Sequence, residues 1–173
     1  MNKNQPKYFS SFRIDNIHFT VITSRTGIRE IIFNLKENDA KLSNTIQLQV
    51  EDPSMRNIYT QLKEYFNRKR KQFELPLEIV GSEFQKRVWD ELLKIPYGKT
   101  ISYKDLASRL GNIKVIRAAA HANGVNPLPI VIPCHRVVGS NGSLIGYGGG
   151  LEIKKKLLIL EGSRQPELFS NNG

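Results

Sequence analysis

Residues 102–124 read SYKDLASRLGNIKVIRAAAHANG, and this stretch decides the class of fold. Ser102 is placed as a helix N-cap, because a serine hydroxyl accepts from a backbone amide that the first turn leaves without a partner. Gly111 falls just past the end of SYKDLASRL, where a left-handed C-cap favours glycine. A second helix covers KVIRAAAHA, with Gly124 as its stop, and only Gly111-Asn112-Ile113 separates the two. That is helix-turn-helix spacing, which ordinary αα-hairpins share.

Working outward, Ser82 and Gln85 form a capping-box pattern ahead of a helix whose apolar stripe is Phe84, Val88, Leu92 and Leu93, and which stops at Pro96-Tyr97-Gly98. Phe84 and Trp89 read as core. The last helix, EIKKKLLILEG, places Ile153, Leu157, Leu158 and Leu160 inward and Lys154 to Lys156 largely outward. Upstream, FELPLEIVG carries a proline inside a β-prone run and reads as an extended connector, so a domain boundary is set near Val80. The first forty residues alternate in the β-prone runs FRIDNIHFTVI and REIIFNL, with the turn Ser24-Arg25-Thr26-Gly27 between them, and read as antiparallel sheet. After the polar KENDAKLSN comes TIQLQV, and then Met55, Ile58, Tyr59, Leu62 and Phe66 recur at helical spacing from a start at Asp52-Pro53. The expected architecture is α/β (α+β): an amino-terminal α/β domain over 1–80, a helical domain over 81–165 and a flexible tail over 166–173.

Bulk properties narrow the function. The 173 residues, 39% hydrophobic, suffice for one ordinary domain or two small ones sharing an interface. No segment approaches the roughly 18 consecutive apolar residues of a membrane span, and MNKNQPKYFSS has no apolar run of a secretory signal. A cytoplasmic protein is expected, nuclear if the source is eukaryotic. With one cysteine there is no internal disulfide and no Cys-rich metal framework, so Cys134 is a free thiol in a reducing compartment. The formal net charge of +10 points to an anionic partner, nucleic acid first, because a polyanion sheds condensed counterions when Lys and Arg bind it. The cationic NRKRKQ, residues 67–72, reads equally as a phosphate contact or as a solvated helix end.

The chemistry concentrates in PIVIPCHRVV, residues 129–138, where a buried-strand-like apolar run ends on Pro133 and delivers Cys134 and His135 at its mouth. A reactive thiol acts as thiolate, which needs an electropositive, polar neighbourhood. Adjacent side chains on an extended chain point apart, so a histidine acting through water suits Cys134 better than direct contact. The dipeptide alone reads equally as an inert buried cysteine beside a satisfied histidine.

Together these residues resemble the O6-alkylguanine-DNA alkyltransferases, the methylated-DNA–protein-cysteine methyltransferase family. The resemblance runs through GSEFQKRVWDELLKIPYGKTISYKDLASRLGN, RAAAHANGVNPLPIVIPCHRVVGSNG and GYGGGLEIKKKLLILEG, nearly all of residues 81–162, and before that only through YFNRKRKQFELPLE. It implies an amino-terminal ribonuclease-H-like antiparallel sheet with helix, a carboxy-terminal winged-helix-like domain, and irreversible transfer of an alkyl group from O6 of guanine, and from O4 of thymine, in double-stranded DNA to the protein's own cysteine. No cofactor, metal or membrane is implied, and a monomer is expected.

On that resemblance Cys134 is the alkyl acceptor, and His135 and Glu161 complete a Glu–His–water–Cys relay. Asn126 ties the Asn-Pro turn to the active-site loop. Tyr103 donates toward N3 of the guanine, which leaves as an anion. Tyr147 and Gly148 form the wall near the alkyl group, and Gly148, smaller than the usual residue, implies a pocket open to groups bulkier than methyl. Reaching a stacked guanine requires flipping it out, and Arg117 matches the residue that fills the gap. Ala118 and Ala119 keep the helix face bare enough for a minor groove. Gln85, Lys104, Asn112 and Ser140 match positions near phosphates. His121 stands where the family often has a small residue, and Leu160 where some members have histidine. The alternatives are a non-enzymatic binder of alkylated bases, a helix-turn-helix regulator and, least favoured, a cysteine hydrolase.

Overall fold

In the computed structural model, residues 6–165 are described; the tail assigned to 166–173 lies outside them. Strands β1 (Lys7–Ile14), β2 (Ile17–Thr23) and β3 (Ile28–Phe33) form an antiparallel meander, and β4 (Thr45–Gln47) joins the far side of β1, giving the order β3-β2-β1-β4. Two expectations need correction. FRIDNIHFTVI is not one run but two strands, because Asp15 and Asn16 both take positive φ (51° and 63°) and close a two-residue hairpin that short polar side chains tolerate. The sheet is mixed rather than antiparallel, since β4 returns parallel to β1 after the long KENDAKLSN crossing.

Helix α1 (Pro53–Phe66) begins where Asp52 accepts from the Ser54 amide and Pro53 occupies the first turn. It buries Met55, Ile58, Leu62, Tyr65 and Phe66 in one core with Phe12, Phe19, Val21 and Ile31 of the sheet. Tyr59 is only half-buried, edge-on to Phe12 at 5.2 Å. The connector after α1 lies beside the start of β3: Ile28 donates to Pro76 O (2.8 Å) and accepts from Glu78 N (2.9 Å). The approach is so close that a Cβ at Gly27 would lie 2.5 Å from Pro76 O.

The second half is built of helices α2 (Glu83–Leu93), α3 (Tyr103–Arg109), α4 (Ile116–Gly124) and α5 (Leu151–Leu160), with the short strands β5 (Ile101–Ser102) and β6 (Val137–Val138) paired in parallel. Both N-caps read from sequence carry full capping boxes, Ser82 with Gln85 and Ser102 with Asp105. The turn between α3 and α4 uses Gly111 at φ 87° and a single 3₁₀ turn over Ile113–Val115 capped by Asn112. Trp89 is core, and its Nε1 donates to Ala122 O (2.9 Å), tying α2 to α4. Leu93, expected inside, is 46% exposed at the last turn of α2. Lys154, expected to point outward, is wholly buried: it shares a face with Leu157 and Leu158, three and four residues on, and that face meets the core.

Candidate active site

The apolar run before Cys134 is not a strand. Ile130 adopts φ 74°, a strained conformation for a β-branched residue, and the chain doubles back so that Ile132 N donates to Leu128 O (2.8 Å). Pro133 (φ −81°, ψ 61°) then makes an inverse γ-turn in which Cys134 N donates to Ile132 O (2.8 Å), and a 3₁₀ turn over Cys134–Arg136 follows. Asn126 holds this loop from outside: its Nδ2 donates to Ile132 O (2.8 Å) and its Oδ1 accepts from Leu128 N (3.0 Å). The prolines at 127, 129 and 133 deny the segment the amide donors of a strand ladder, which is why an apolar run folds as a loop.

Cys134 is 3% exposed, and burial pushes its thiol up to about 11. The Asn126 side chain, the Lys154 charge and the amides of Cys134 and His135 work in the opposite direction. The 3₁₀ turn brings His135 inward, fully buried, with Nε2 2.9 Å from Glu161 Oε1. An ionised carboxylate only accepts, so Nε2 carries the proton and Nδ1 presents its lone pair. Nδ1 is buried with no hydrogen-bond partner among the described residues. Burial holds the imidazole below its usual pKa against the opposing pull of Glu161, which favours the neutral, accepting form.

Glu161 is the C-cap of α5 and a hub for donors. Besides His135, Arg136 donates from Nε to Oε2 (2.9 Å) and from Nη2 to Oε1 (2.8 Å), Tyr65 donates to Oε1 (2.7 Å) and Gly98 N to Oε2 (3.2 Å). Burial alone would raise this carboxyl; hydrogen bonds and charges from His135 and Arg136 overcome it and hold Glu161 well below the usual carboxylate range.

Around the thiol, Tyr103 is largely buried and donates to Ile145 O (3.0 Å). Burial and the neighbouring Cys134 raise the pKa of Tyr103, with the Asn123 carboxamide opposing them, and both polar atoms of that carboxamide are buried with no hydrogen bond of normal geometry among the described residues. The Tyr147 hydroxyl is likewise buried without a hydrogen-bond partner among the described residues, its ring 5.9 Å from Phe33 of β3. A cavity of about 360 Å³ is lined by Cys134, Asn126, Tyr147, Gly148, Ile32 and Phe33 among others, so the edge of the amino-terminal sheet forms one of its walls.

Sequence reasoning missed four residues here. Lys154 Nζ donates to Val137 O (2.7 Å) and Ile145 O (2.8 Å), and burial lowers its pKa to about 8. The spacing 154–157–158–161 would have found it, because it sets Lys154 on the face that carries Glu161. Arg136 was visible inside the Pro-Cys-His-Arg string, whereas Tyr65 and Asn123 looked like ordinary core positions.

On α4, Arg117, Ala118 and His121 form an exposed stripe. Ala119 is 0% exposed and belongs to the core that α4 shares with α2, so it cannot touch DNA as expected. Lys104, Asn112 and Ser140 are exposed, and Gln85 is half-buried with its Oε1 accepting from Ser82 N (2.8 Å). Among the described residues no three His, Cys, Asp or Glu side chains gather as a metal-holding group, and no helix is long and apolar enough to cross a membrane.

A helix-turn-helix half that encloses a buried Cys–His–Glu constellation, backed by a sheet whose helix reaches the glutamate, defines a thiol-centred protein with an exposed helical docking face. The sequence model described as 6-O-methylguanine DNA methyltransferase, DNA binding domain, matches residues 83–163, and that described as its ribonuclease-like domain matches residues 18–79. The chain is 45% identical over 136 residues to a methylated-DNA–protein-cysteine methyltransferase of Methanosarcina mazei, covering 78% of this chain and 84% of the relative. The Mycobacterium tuberculosis O6-methylguanine methyltransferase superposes with a TM-score of 0.82 at 33% identity, over 93% of this chain and 96% of the other. A structure of the Mycobacterium tuberculosis protein in complex with DNA gives 0.80 at 33%, over 92% and 96%. The chain belongs to the 6-O-methylguanine DNA methyltransferase family.

Proposed function

We propose that this protein repairs double-stranded DNA by taking an alkyl group from O6 of guanine, and from O4 of thymine, onto Cys134, once per molecule. One observation carries the reading: a buried thiol follows directly on a cavity-lining loop and precedes an imidazole that Glu161 fixes by one nitrogen, leaving the other a buried lone pair.

With the thiol pushed up to about 11, almost none of it is ionised near neutrality, so attack needs a base at the moment of transfer. One water between Nδ1 of His135 and Sγ of Cys134 would satisfy the orphaned nitrogen and carry the proton to it. Sulfur attacks the alkyl carbon in line, the carbon–O6 bond breaks, and guanine leaves with the electron pair and takes up a proton. The imidazolium is stabilised by the ionised Glu161, and the neighbouring Lys154 charge favours the developing thiolate. The product is a thioether, which offers no good leaving group, so the reaction is stoichiometric.

Tyr103 donates toward N3 of the extruded base once it exchanges Ile145 O for that acceptor, and Tyr147 and Gly148 face the alkyl group. Asn126 keeps the acceptor loop in shape. The exposed stripe of Arg117, Ala118 and His121 suits a minor-groove contact in which Arg117 replaces the flipped nucleotide. Gln85, Lys104, Asn112 and Ser140 flank the phosphates. The two matched spans, 18–79 and 83–163, support a domain division near Val80. The acceptor must stay reduced, which suits a cytoplasmic location, or a nuclear one in a eukaryote. A non-enzymatic binder or a regulator would have no use for an acceptor thiol backed by an imidazole.

The test is mass spectrometry after mixing with a duplex carrying O6-methylguanine. One methyl group mapped to Cys134, and saturation at one equivalent, are expected; an unmodified Cys134, or continued turnover, would reject the reading.

A further inference from the structure

We infer that Tyr65, a residue of the amino-terminal half, is a positioning residue of the acceptor relay: its hydroxyl sets how strongly Glu161 supports His135. This rests on the reading of Cys134, His135 and Glu161 proposed above.

Tyr65 is fully buried on α1, and its hydroxyl donates to Glu161 Oε1 at 2.7 Å across 96 residues of sequence. Its ring is fixed by neighbours on several sides, with Phe66, Phe73 and Tyr97 at centroid distances of 5.5, 5.4 and 6.1 Å, so the hydroxyl has one direction available. A phenylalanine would meet the packing need as well; only the hydroxyl reaches the carboxylate.

The competition is local. Oε1 accepts from Tyr65, from His135 Nε2 (2.9 Å) and from Arg136 Nη2 (2.8 Å), more donors than one oxygen has lone pairs. Oε2 is held by Arg136 Nε and Gly98 N. The charged and titratable groups that act on Glu161 among the described residues are Tyr65 from α1, Tyr97 before Gly98, His135 and Arg136 from the acceptor turn, and Tyr147 from the loop before α5; His135 also feels Lys154 from α5. Each donor on Oε1 spreads the negative charge that stabilises an imidazolium. Removing the Tyr65 hydroxyl leaves Oε1 to His135 and Arg136, makes His135 more basic and loosens the carboxylate's orientation. The amino-terminal half thereby tunes the base, as well as covering the core.

The experiment measures single-turnover methyl transfer from duplex O6-methylguanine to the full chain between about pH 5 and 9, the range in which an imidazole titrates. In Tyr65→Phe the acid limb of the rate profile is expected to move up by about half a pH unit or more, with the plateau lowered a few-fold. Tyr65→Met, which fills the space differently and also lacks the hydroxyl, is expected to give the same shift, and Tyr65→Phe is expected to add no shift to Glu161→Gln. An unmoved acid limb in a folded Tyr65→Phe, an equal effect in the Glu161→Gln background, or loss of fold in both hydroxyl-free variants would overturn the inference. Wild-type protein that never becomes methylated at Cys134 would instead reject the function on which it rests.

Discussion

Replacing Glu161 by glutamine removes a charge and one acceptor from a centre that has only donors around it. In its better orientation the glutamine keeps its carbonyl toward His135, Tyr65 and Arg136 Nη2 and turns its amide against Arg136 Nε and Gly98 N, two donors that lose their acceptor. The buried Arg136 guanidinium, only 6% exposed, also loses its counter-charge. Breaking one partner out of a buried ion pair costs about 3–5 kcal/mol. At roughly 2–4 °C per kcal/mol for a chain of this size, the melting temperature of Glu161→Gln falls by about 6–20 °C. Chemistry suffers separately, because a neutral amide stabilises an imidazolium poorly, and general-base assistance worth about 10²–10⁴ in rate is largely lost. Single-turnover transfer, measured well below the variant's melting point, reads that loss near neutral pH. The deficit shrinks as pH climbs toward about 11, where the Cys134 thiol ionises unaided. A folded Glu161→Gln that transfers methyl within about threefold of wild type near neutrality would refute the relay, since general-base help is worth far more than that.

Further outcomes are expected. Arg117→Ala slows repair of duplex DNA far more than reaction with free O6-benzylguanine, because only the duplex needs its gap filled; equal losses on both substrates would remove that role. Gly148→Ser fits without strain, its Cβ 3.5 Å from Gly124 O, and narrows the cavity beside Cys134, so the benzyl-to-methyl rate ratio falls several-fold; an unchanged ratio would mean position 148 does not gate adduct size. Acid stability follows from Glu161: burial opposes its charge, but His135 and Arg136 hold the folded pKa well below the unfolded value of 4.5. A depressed carboxyl contributes stability above the unfolded pKa and loses it as pH falls through the folded one, so melting temperature drops below about pH 4.5 in wild type and drops less in Glu161→Gln. Parallel acid profiles for the two proteins would contradict this.

Much of the fold was legible residue by residue. Ser82, Ser102, Gly111 and Asp52 mark helix ends through hydrogen bonds to amides or carbonyls only a few residues away, and the structure has those ends where the signals stand. The sheet was less legible: the Asp15-Asn16 hairpin hides inside a β-prone string, and nothing local says that β4 returns parallel to β1. Ala118 and Ala119 look alike in sequence, yet one is on the exposed face and the other in the core, because the rotation of α4 is set by its packing on α2.

Cys134, His135 and Glu161 were joined as a set by the family resemblance: Pro-Cys-His-Arg alone left an inert buried cysteine equally open, and nothing local tied the glutamate at the end of the last helix to it. Their working state is a property of assembly. The turn that points His135 inward, the pairing of its Nε2 with Glu161, the burial that raises the thiol, and the arrival of Tyr65 and Lys154 from other elements all depend on contacts between residues far apart in sequence. Local propensity acts over a few residues, whereas desolvation and charge coupling arise only when separate elements close around the same small volume.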